Sequence, residues 1–535
     1  MTRKTRRPPP VDAVVVTPPR LAIDAWTAAL AVTAFGYAVA ASLTPDGVAY
    51  LENAELIAAG LGWQALQGYW SPGYSLLLVP AVWIADGNRS GLLALAHCVQ
   101  IGLALSAVWL ATIAVRRRVP PAAQRAVFWL CMWVVIRWLS QELLTPDLLL
   151  GVLVLGFLAR APAATFRDAV ILGVIVGLAF LAKTSIWPSL VVAAGALVIQ
   201  NWRAPVWPRL TTVSVGVALA IAFAFVIPLS VKVGRPTLGG VGALNAGWYL
   251  GDLNQRTPDT DQRYHEARRN ALLPSGASIA AYEMPPGTST YAPWARPEEW
   301  ATGYSRAERP TWNAAQAKLV WQQNVIVALR WLLPLLGGAL ALRLLSRGPR
   351  GGAARPLLNW PLAAAGGAGA LAFLAVHAEA RLLAPSALLL LFAAWPEDGA
   401  TPSPNPRRVL HAALVGAIAI QLAVDLSGAA ERARKLAESE RGLRDYVAAG
   451  AGQRAQRNVV LVGPFGPWVA ILWEYHLRVH VQIGEQAGAL LAALPRDQRL
   501  WWIRDQFGNS IFGVADVTSR IEGDYARSER SFTVF

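Results

Sequence analysis

The chain has 535 residues, of which 55% are hydrophobic and only 15% are charged, and its mean hydropathy is +0.38. This balance argues against a soluble enzyme and is typical of a polytopic membrane protein. The net charge of +15 does not indicate a nucleic-acid partner, because the arginines stand in short stretches between apolar runs, as on the cytoplasmic face of membrane proteins.

Residues 1–20 are basic and proline-rich, and no short apolar core with a cleavage site follows them. They are predicted to be a disordered cytoplasmic tail. Residues 21–427 are predicted to form a transmembrane domain of about 11 helices, since a helix needs about 20 apolar residues to cross the hydrocarbon core. The candidate spans are 21–43, 90–114, 122–141, 147–160, 168–182, 186–200, 210–230, 322–345, 357–376, 382–396 and 409–427.

The first outer loop, 44–89, contains the apolar segment 73–86, which is short for a span. If this segment crossed the membrane, the later arginine clusters would fall outside, against the positive-inside rule. If it lies in the interface, those clusters fall inside, beginning with the three arginines at 116–118. The charge pattern therefore predicts interfacial helices in this loop, with the N-terminus of the chain inside and its C-terminus outside.

Two further regions are predicted to lie on the outer side. Residues 232–321 form a loop rich in Pro, Gly and Tyr, and residues 428–535 follow the last span. This C-terminal region begins with a charged amphipathic helix and continues with strand-like runs at 458–463, 479–484 and 499–505, separated by helical stretches. The alternation predicts a small α/β domain on the periplasmic side.

Ionisable residues at the predicted outer ends of helices are the candidates for a site, because charge at membrane depth is costly and usually serves function or a pair. They are Asp46, Asp147, Lys183, His377, Glu379 and Arg381. Each has a structural alternative: Asp147 as a helix N-terminal acid, Lys183 as a lysine reaching the headgroups, and Arg381 as the partner of Glu379. Their convergence on one side favours function.

Arg137, within the last turns of span 122–141, is a further candidate for substrate binding, although its position favours a pair with Glu142. Acids and cations on one outer surface suit a transfer reaction. A carboxylate can take a proton from a hydroxyl or hold a divalent metal, while cations stabilise a phosphate leaving group. The sequence shows no P-loop or Rossmann fingerprint, so a soluble nucleotide donor is not implied.

These residues stand in motifs that follow one another in a particular order along residues 20–400. Asp46 and Tyr50 precede WSPGYSLLLVP, and Asp147 lies in LLTPDLLLGVLVLGFLA. The later motifs are GLAFLAKTSIWPSLVVAAGAL, NAGWYLGDLNQ and HAEARLLAPSALLLLFA. Together they resemble the GT-C glycosyltransferases, which include the bacterial lipid A aminoarabinose transferases and the protein O-mannosyltransferases.

The resemblance implies a GT-C-like fold and an inverting transfer of a hexosyl or pentosyl group from a polyprenyl-phosphate sugar. The acceptor would be a hydroxyl of a lipid, glycan or protein, on the periplasmic face of a bacterial inner membrane, with the enzyme as a monomer. Asp46 becomes the catalytic carboxylate and Asp147 the second acid, with a divalent metal (Mg or Mn) near both left open. The implied substrate-binding residues are Tyr50, Arg137, Lys183, His377, Glu379 and Arg381.

The chain departs from the family pattern at three places. Many members have Glu directly after the first acid, where this chain has Gly47, and Lys-Pro-Pro where this chain has Ser71-Pro72-Gly73. Leu382 stands where members have Tyr after the arginine. The first change weakens a metal assignment, and the second removes a cation from near the donor phosphate.

Two other functions are compatible with the sequence. A polymerase or ligase for lipid-pyrophosphate glycans would use a long outer loop with paired arginines, and loop 232–321 holds Arg268 and Arg269. A lipid or glycan transporter belongs to a different class. It would more often show broken midplane helices or an internal repeat, and neither is visible in the sequence.

Overall fold

The structure is a computed structural model, which describes the N-terminal two thirds of the chain with gaps and short parts of the C-terminal region. The described residues are 19–38, 43–121, 123–139, 144–161, 163, 165–201, 207–251, 312–345, 358–395, 427–428, 458–462, 473, 478–482, 501–505 and 512–516. Up to residue 395 these residues are almost entirely helical, and the strands that the structure describes all lie in the C-terminal region.

Fourteen α-helices, numbered here in chain order, make up the described helical part, with a π-helix at Val134–Leu139 and a 3₁₀ turn at Thr184–Ile186. The first seven are α1 Pro19–Ala38, α2 Pro45–Ala58, α3 Gly62–Ala65, α4 Pro72–Ala85, α5 Arg89–Arg118, α6 Gln124–Trp133 and α7 Asp147–Arg160. The others are α8 Phe166–Ala182, α9 Trp187–Asn201, α10 Trp207–Val233, α11 Val241–Leu250, α12 Ala314–Leu345, α13 Trp360–Val376 and α14 Ala380–Ala393.

The described helices are those of an α-helical membrane protein. Three of them contain segments long and apolar enough to cross a bilayer: Arg89–Arg118, Arg209–Val233 and Ala314–Arg343. Each of the first ten predicted spans falls on a described helix, and the eleventh, 409–427, lies almost wholly outside the described residues. The large apolar core joins α1, α5, α6, α7 and α12 to α14.

Arginines close the end of the bundle where the sequence predicts the cytoplasm. Arg118, at the C-terminus of α5, donates from Nε to the carbonyl of Leu158 at 2.7 Å, and its Nη2 donates to that of Ala161. Arg125 of α6 pairs with Asp24 of α1, at 2.5 Å from Nε to Oδ2. The last carbonyls of α7 have no partner inside their own helix, so the cation satisfies them and suits the helix dipole.

The first outer loop is a compact group of helices in which α2 and α4 pack together and α3 follows α2. Thr44 caps α2, its Oγ1 accepting from the backbone N–H of Gly47 at 3.3 Å, and Asn88 caps α5 in the same way at 3.0 Å. One face of α4 is buried, whereas Trp83 and Ile84 are 65% and 71% exposed. An apolar helix with one bare apolar face is what the interfacial position predicts.

Two close contacts position the elements around this loop. In α8, a Cβ added to Gly173 would lie 2.5 Å from the carbonyl oxygen of Ser214, and one added to Gly177 would lie 2.7 Å from Ile221 Cβ. These glycines let α8 and α10 approach closely, as small residues spaced by four do in membrane helices.

At the end of α10, Lys232 Nζ donates to the carbonyls of Trp63 at 2.8 Å and Leu66 at 2.6 Å, which ties α10 to the first loop.

The C-terminal region contains four strands: β1 Asn458–Val462, β2 Arg478–Gln482, β3 Trp501–Asp505 and β4 Phe512–Asp516. They form one sheet with the order β2-β1-β3-β4. β1 is parallel to β2 and β3, and β4 is antiparallel to β3. The first three strands overlap the strand-like runs that the sequence indicates, and β4 was not predicted. The helices predicted between them lie outside the described residues.

Candidate functional site

Arg381 lies where three helix N-termini meet and brings together carboxylates from distant parts of the chain. Its Nη1 donates to Asp46 Oδ2 at 3.2 Å across a sequence separation of 335 residues, and it lies 3.7 Å from Asp147 Oδ2. Its Nε donates to Glu379 Oε2 at 2.6 Å. Asp46 is in the first turn of α2, Asp147 begins α7 and Glu379 precedes α14, so the positive helix ends favour these negative charges.

Asp147 is the most enclosed of the three carboxylates, with a side chain only 2% exposed. Its Oδ1 accepts from Lys183 Nζ at 2.5 Å, and its Oδ2 accepts from Thr145 Oγ1 at 2.9 Å and faces Arg381. Both carboxylate oxygens are therefore engaged inside the protein. A buried charge needs such partners, because an unpaired carboxylate in this position would be strongly destabilising.

Lys183 follows the C-terminus of α8 and is held by a turn that contacts the first outer loop. The backbone N–H of Thr184 donates to Ser71 Oγ at 3.0 Å. A Cβ added to Gly73 would lie 2.7 Å from the backbone carbon of Leu181 and 2.8 Å from the backbone nitrogen of Ala182. Gly73 thus lets α4 approach the lysine turn without an intervening side chain.

Asp46 differs from Asp147 in its access to ligand. Its side chain is 21% exposed, compared with 2% for Asp147. It lies in the first turn of α2, and its Oδ2 accepts from Arg381 Nη1. Of the two aspartates it is the one that an acceptor hydroxyl could reach.

Glu379 and His377 form the outer edge of the cluster. His377 Nε2 lies 3.0 Å from Glu379 Oε1, and the Tyr249 ring stacks on the imidazole with 3.9 Å between centroids and 5° between planes. Burial raises the pKa of Glu379, but the hydrogen bond with His377 and the charge of Arg381 outweigh it and lower that pKa to about 2. Glu379 is therefore ionised at neutral pH.

Aromatic side chains surround the carboxylates. Tyr50 is only 4% exposed and meets Trp70 and Tyr74 edge to face, with centroids 5.1 Å and 5.5 Å apart, so the structure places it in the packing below the cluster. Burial, and then the charges of Asp147 and Asp46, hold the pKa of Tyr50 well above its ordinary value. Tyr50 thus remains a neutral phenol.

Sequence reasoning missed four residues of this site: Thr145, Tyr69, Asn245 and Tyr249. Tyr69 donates from its hydroxyl to Asn245 Oδ1 at 3.1 Å, which joins the first outer loop to α11. Burial and the nearby charge of Asp46 raise the pKa of Tyr69. Asn245 and Tyr249 lie in the NAGWYLGDLNQ motif. The sequence therefore pointed to this segment, but not to these two residues within it.

The residues present do not fit a divalent cation shared by Asp46 and Asp147. Lys183 and Arg381 already neutralise Asp147, and a divalent ion would add positive charge beside both of them. A Cβ on Gly47 would lie 2.8 Å from Leu43 Cδ1 and 3.2 Å from Leu144 Cβ, so packing leaves no room for a longer side chain at this position.

Arg137 is placed by packing on an aromatic ring. Its guanidinium carbon lies 5.3 Å from the centroid of Trp331, a cation–π contact between the π-helix and α12. Its predicted partner Glu142 lies outside the described residues, as do Arg268 and Arg269.

No protein-family model matches the chain, and no curated protein matches it.

Proposed function

We propose that this protein is a membrane glycosyltransferase that moves a sugar from a polyprenyl-phosphate donor to a hydroxyl acceptor with inversion at the anomeric carbon. The observation that carries the proposal is the contact of Arg381 with Asp46 and Asp147, next to Lys183. Four charged groups from separate helices meet at helix ends, which suits a reaction that needs a base and cations for a phosphate.

Asp46 acts as the base in this mechanism, because it is the more exposed aspartate of the pair. It takes the proton from the acceptor hydroxyl while the acceptor oxygen attacks the anomeric carbon from the side opposite the phosphate. A bond forms between that oxygen and the anomeric carbon, and the bond from the anomeric carbon to the phosphate oxygen breaks. The polyprenyl phosphate leaves with the electron pair.

Arg381 and Lys183 receive the leaving phosphate. Arg381 uses Nε and Nη1 for carboxylates, and its Nη2 has no hydrogen-bond partner among the described residues. Lys183 donates one of its three N–H bonds to Asp147. Donors therefore remain for phosphate oxygens, and the carboxylates hold both cations in place before the ligand arrives.

Asp147 is assigned a positioning role in place of direct contact with substrate. Both of its oxygens are used by Thr145, Lys183 and Arg381, and its side chain is 2% exposed. It orients the two cations and compensates their charge. The reaction proposed here proceeds through Asp46 and these cations, with no step assigned to a metal.

An apolar cavity beside the lysine turn supports a lipid-linked donor. It has a volume of about 330 Å³ and lies between α7, α8, α9 and α10. Phe180, Ile186 and Trp187, which flank Lys183 in sequence, line it. An apolar space lined by residues that are close in sequence to a lysine suits a ligand with a phosphate head and a hydrocarbon tail.

The proposed setting is a bacterial inner membrane, with about 11 spans, interfacial helices in the first outer loop and the N-terminus in the cytoplasm. The site, loop 232–321 and a C-terminal α/β domain face the periplasm. The parallel strands β1, β2 and β3 support that domain, since parallel strands require crossover connections. The acceptor is a lipid, glycan or protein hydroxyl, and the enzyme is proposed to act as a monomer.

The test is transfer from a synthetic polyprenyl-phosphate sugar by the purified protein, with Asp46→Asn compared with the parent. We expect the loss of the base to slow transfer by about 100-fold or more, and the product to carry the inverted anomeric configuration by NMR. Asp24→Asn is the matched control, because Asp24 is also an aspartate paired with an arginine but lies beside α6. Undiminished transfer by Asp46→Asn would remove Asp46 from the mechanism.

A further inference from the structure

Trp473, a residue of the C-terminal region between β1 and β2, is buried against the first outer loop. Its side chain is 0% exposed. The Arg89 guanidinium lies over its ring at 4.9 Å from the centroid, and Arg89 Nη1 donates to its backbone carbonyl at 2.6 Å. One arginine thus holds both the ring and the main chain of the C-terminal segment.

Arg89 is in turn fixed to α2 by Glu55. Its Nε and Nη2 donate to the two carboxylate oxygens of Glu55, each at 2.8 Å. The Arg89 side chain is only 7% exposed. A buried charge is stable only when all of its partners are in place. A bidentate arginine–carboxylate pair also fixes the orientation of the two side chains relative to each other. Displacing Trp473 would open one side of the pair to water.

The helix that carries Glu55 also carries Asp46. The two residues are nine positions apart on α2, which corresponds to about 13 Å along the helix axis. Arg381 contacts the first turn of α2 through Asp46, and Arg89 contacts its last turns through Glu55. A helix held by an arginine at each end can tilt only if one of the two pairs gives way.

We propose that the C-terminal region docks on the first outer loop through Trp473 and that this contact positions α2, and with it Asp46, for transfer. Trp473, Arg89 and Glu55 are positioning residues, since they act on the reaction through the helix. The part of this inference that concerns transfer rests on the proposed function, whereas the docking itself does not.

The experiment uses the full-length protein and compares Trp473→Ala, Glu55→Gln and the double variant with the parent. Each single variant is expected to lower kcat about tenfold, because a small displacement of a reacting group is costly, while the donor KM changes less than about twofold. The double variant is expected to be no slower than the slower single variant, because both changes break one linkage. Trp473→Phe keeps a ring beside Arg89 and is expected to restore most of the rate.

The matched control is Trp83→Ala, which removes a tryptophan that is 65% exposed on α4 of the same loop. Its kcat is expected to equal that of the parent. A Trp473→Ala variant with the kinetics of this control would overturn the proposal, as would single effects that multiply in the double variant.

Limited proteolysis of the same purified proteins tests the docking without reference to activity. Trp473→Ala and Glu55→Gln are expected to release C-terminal fragments faster than the parent and Trp83→Ala do. If the parent transfers no sugar, the proposed function fails, and the cleavage rates still decide the docking: faster cleavage supports it and unchanged cleavage overturns it.

Discussion

The two ends of α7 use the same kinds of side chain for different purposes. At the C-terminal end, Arg117 and Arg118 donate to backbone carbonyls of residues 158, 159 and 161, so each cation completes a helix terminus. At the N-terminal end, Asp147 shares Arg381 with Asp46, and the arginine also holds Glu379. At the C-terminal end, the arginines and the carbonyls of the helix terminus satisfy each other. The other end keeps a shared cation and a partly exposed acid, which is the arrangement that can accept a ligand.

Among changes that test this comparison of the two ends, the largest effect is expected from Arg381→Lys, which keeps the charge but removes the fork that reaches three carboxylates. Lysine is a point charge and cannot hold Asp46, Asp147 and Glu379 at once. We expect transfer to fall by about 100-fold, as for loss of a donor to a developing anion. Steady-state rates with a polyprenyl-phosphate sugar measure it.

Arg118→Lys is the control at the other end of α7. It alters the contacts to the carbonyls at the C-terminal end of α7, away from the charged cluster, so transfer per folded molecule is expected to remain that of the parent. Equal losses of transfer in the two variants would mean that the two ends do not differ in function.

The second effect concerns stability and is expected for Lys183→Met. Asp147 would keep its burial but lose its closest cation, at an expected cost of about 3 kcal/mol in the free energy of unfolding. Unfolding by SDS titration in mixed micelles measures the loss. The double variant Lys183→Met/Asp147→Leu removes both charges and is expected to recover most of the stability while remaining inactive.

If the double variant stays as unstable as the single one, the loss comes from the lysine stem, and the ion pair is not what stabilises this end of α7. Transfer by the double variant would contradict the assignment of these residues to the cation site.

The smallest effect is a pH dependence from Glu379. Its pKa in the folded protein, about 2, is below the ordinary value of 4.5, so ionised Glu379 stabilises the fold above about pH 4.5. That contribution is lost as the pH falls from about 4.5 through about 2. The difference in melting temperature between the parent and Glu379→Gln is expected to be constant from pH 6 down to about 5 and to shrink below it.

The side chain of Glu379 is 40% exposed, so solvent screening keeps this effect small. A difference that grows on acidification would reverse the sign of the shift and would show that Glu379 is not held as a carboxylate by His377 and Arg381.

The sequence allowed the helices to be predicted well because long apolar runs bounded by charge leave few alternatives. The predicted span 147–160 coincides with α7, and Pro72–Ala85 forms the helix expected at 73–86. The grouping of Asp46, Asp147, Lys183 and Arg381 at one end followed from counting which side each helix end reaches. The contacts between these residues could not be predicted. Pairing depends on how each helix is rotated about its axis, and an apolar run without a polar face does not determine that rotation.

The aromatic and backbone contacts of the site could not be predicted from the positions of the helix ends. Tyr69 and Tyr249 lie in segments with no periodic pattern, and each contacts a residue of another element: Tyr69 donates to Asn245, and Tyr249 stacks on His377. Ser71 and Gly73 appeared as departures from a family pattern, and only their contacts with Thr184 and Leu181 show what they do. Strand β4 was missed because its residues FGVAD carry only a short apolar run.

The glycines of α8 have a consequence for how this protein tolerates change. Lys183 lies six residues, or about 9 Å along the helix, beyond Gly177. A single added carbon at Gly177 would push α8 away from Ile221 and carry the lysine with it. Sensitivity of the site is therefore distributed over positions that bear no functional group. If every substitution were made at Gly173 and Gly177, the loss of transfer activity would measure how much displacement the charged cluster tolerates.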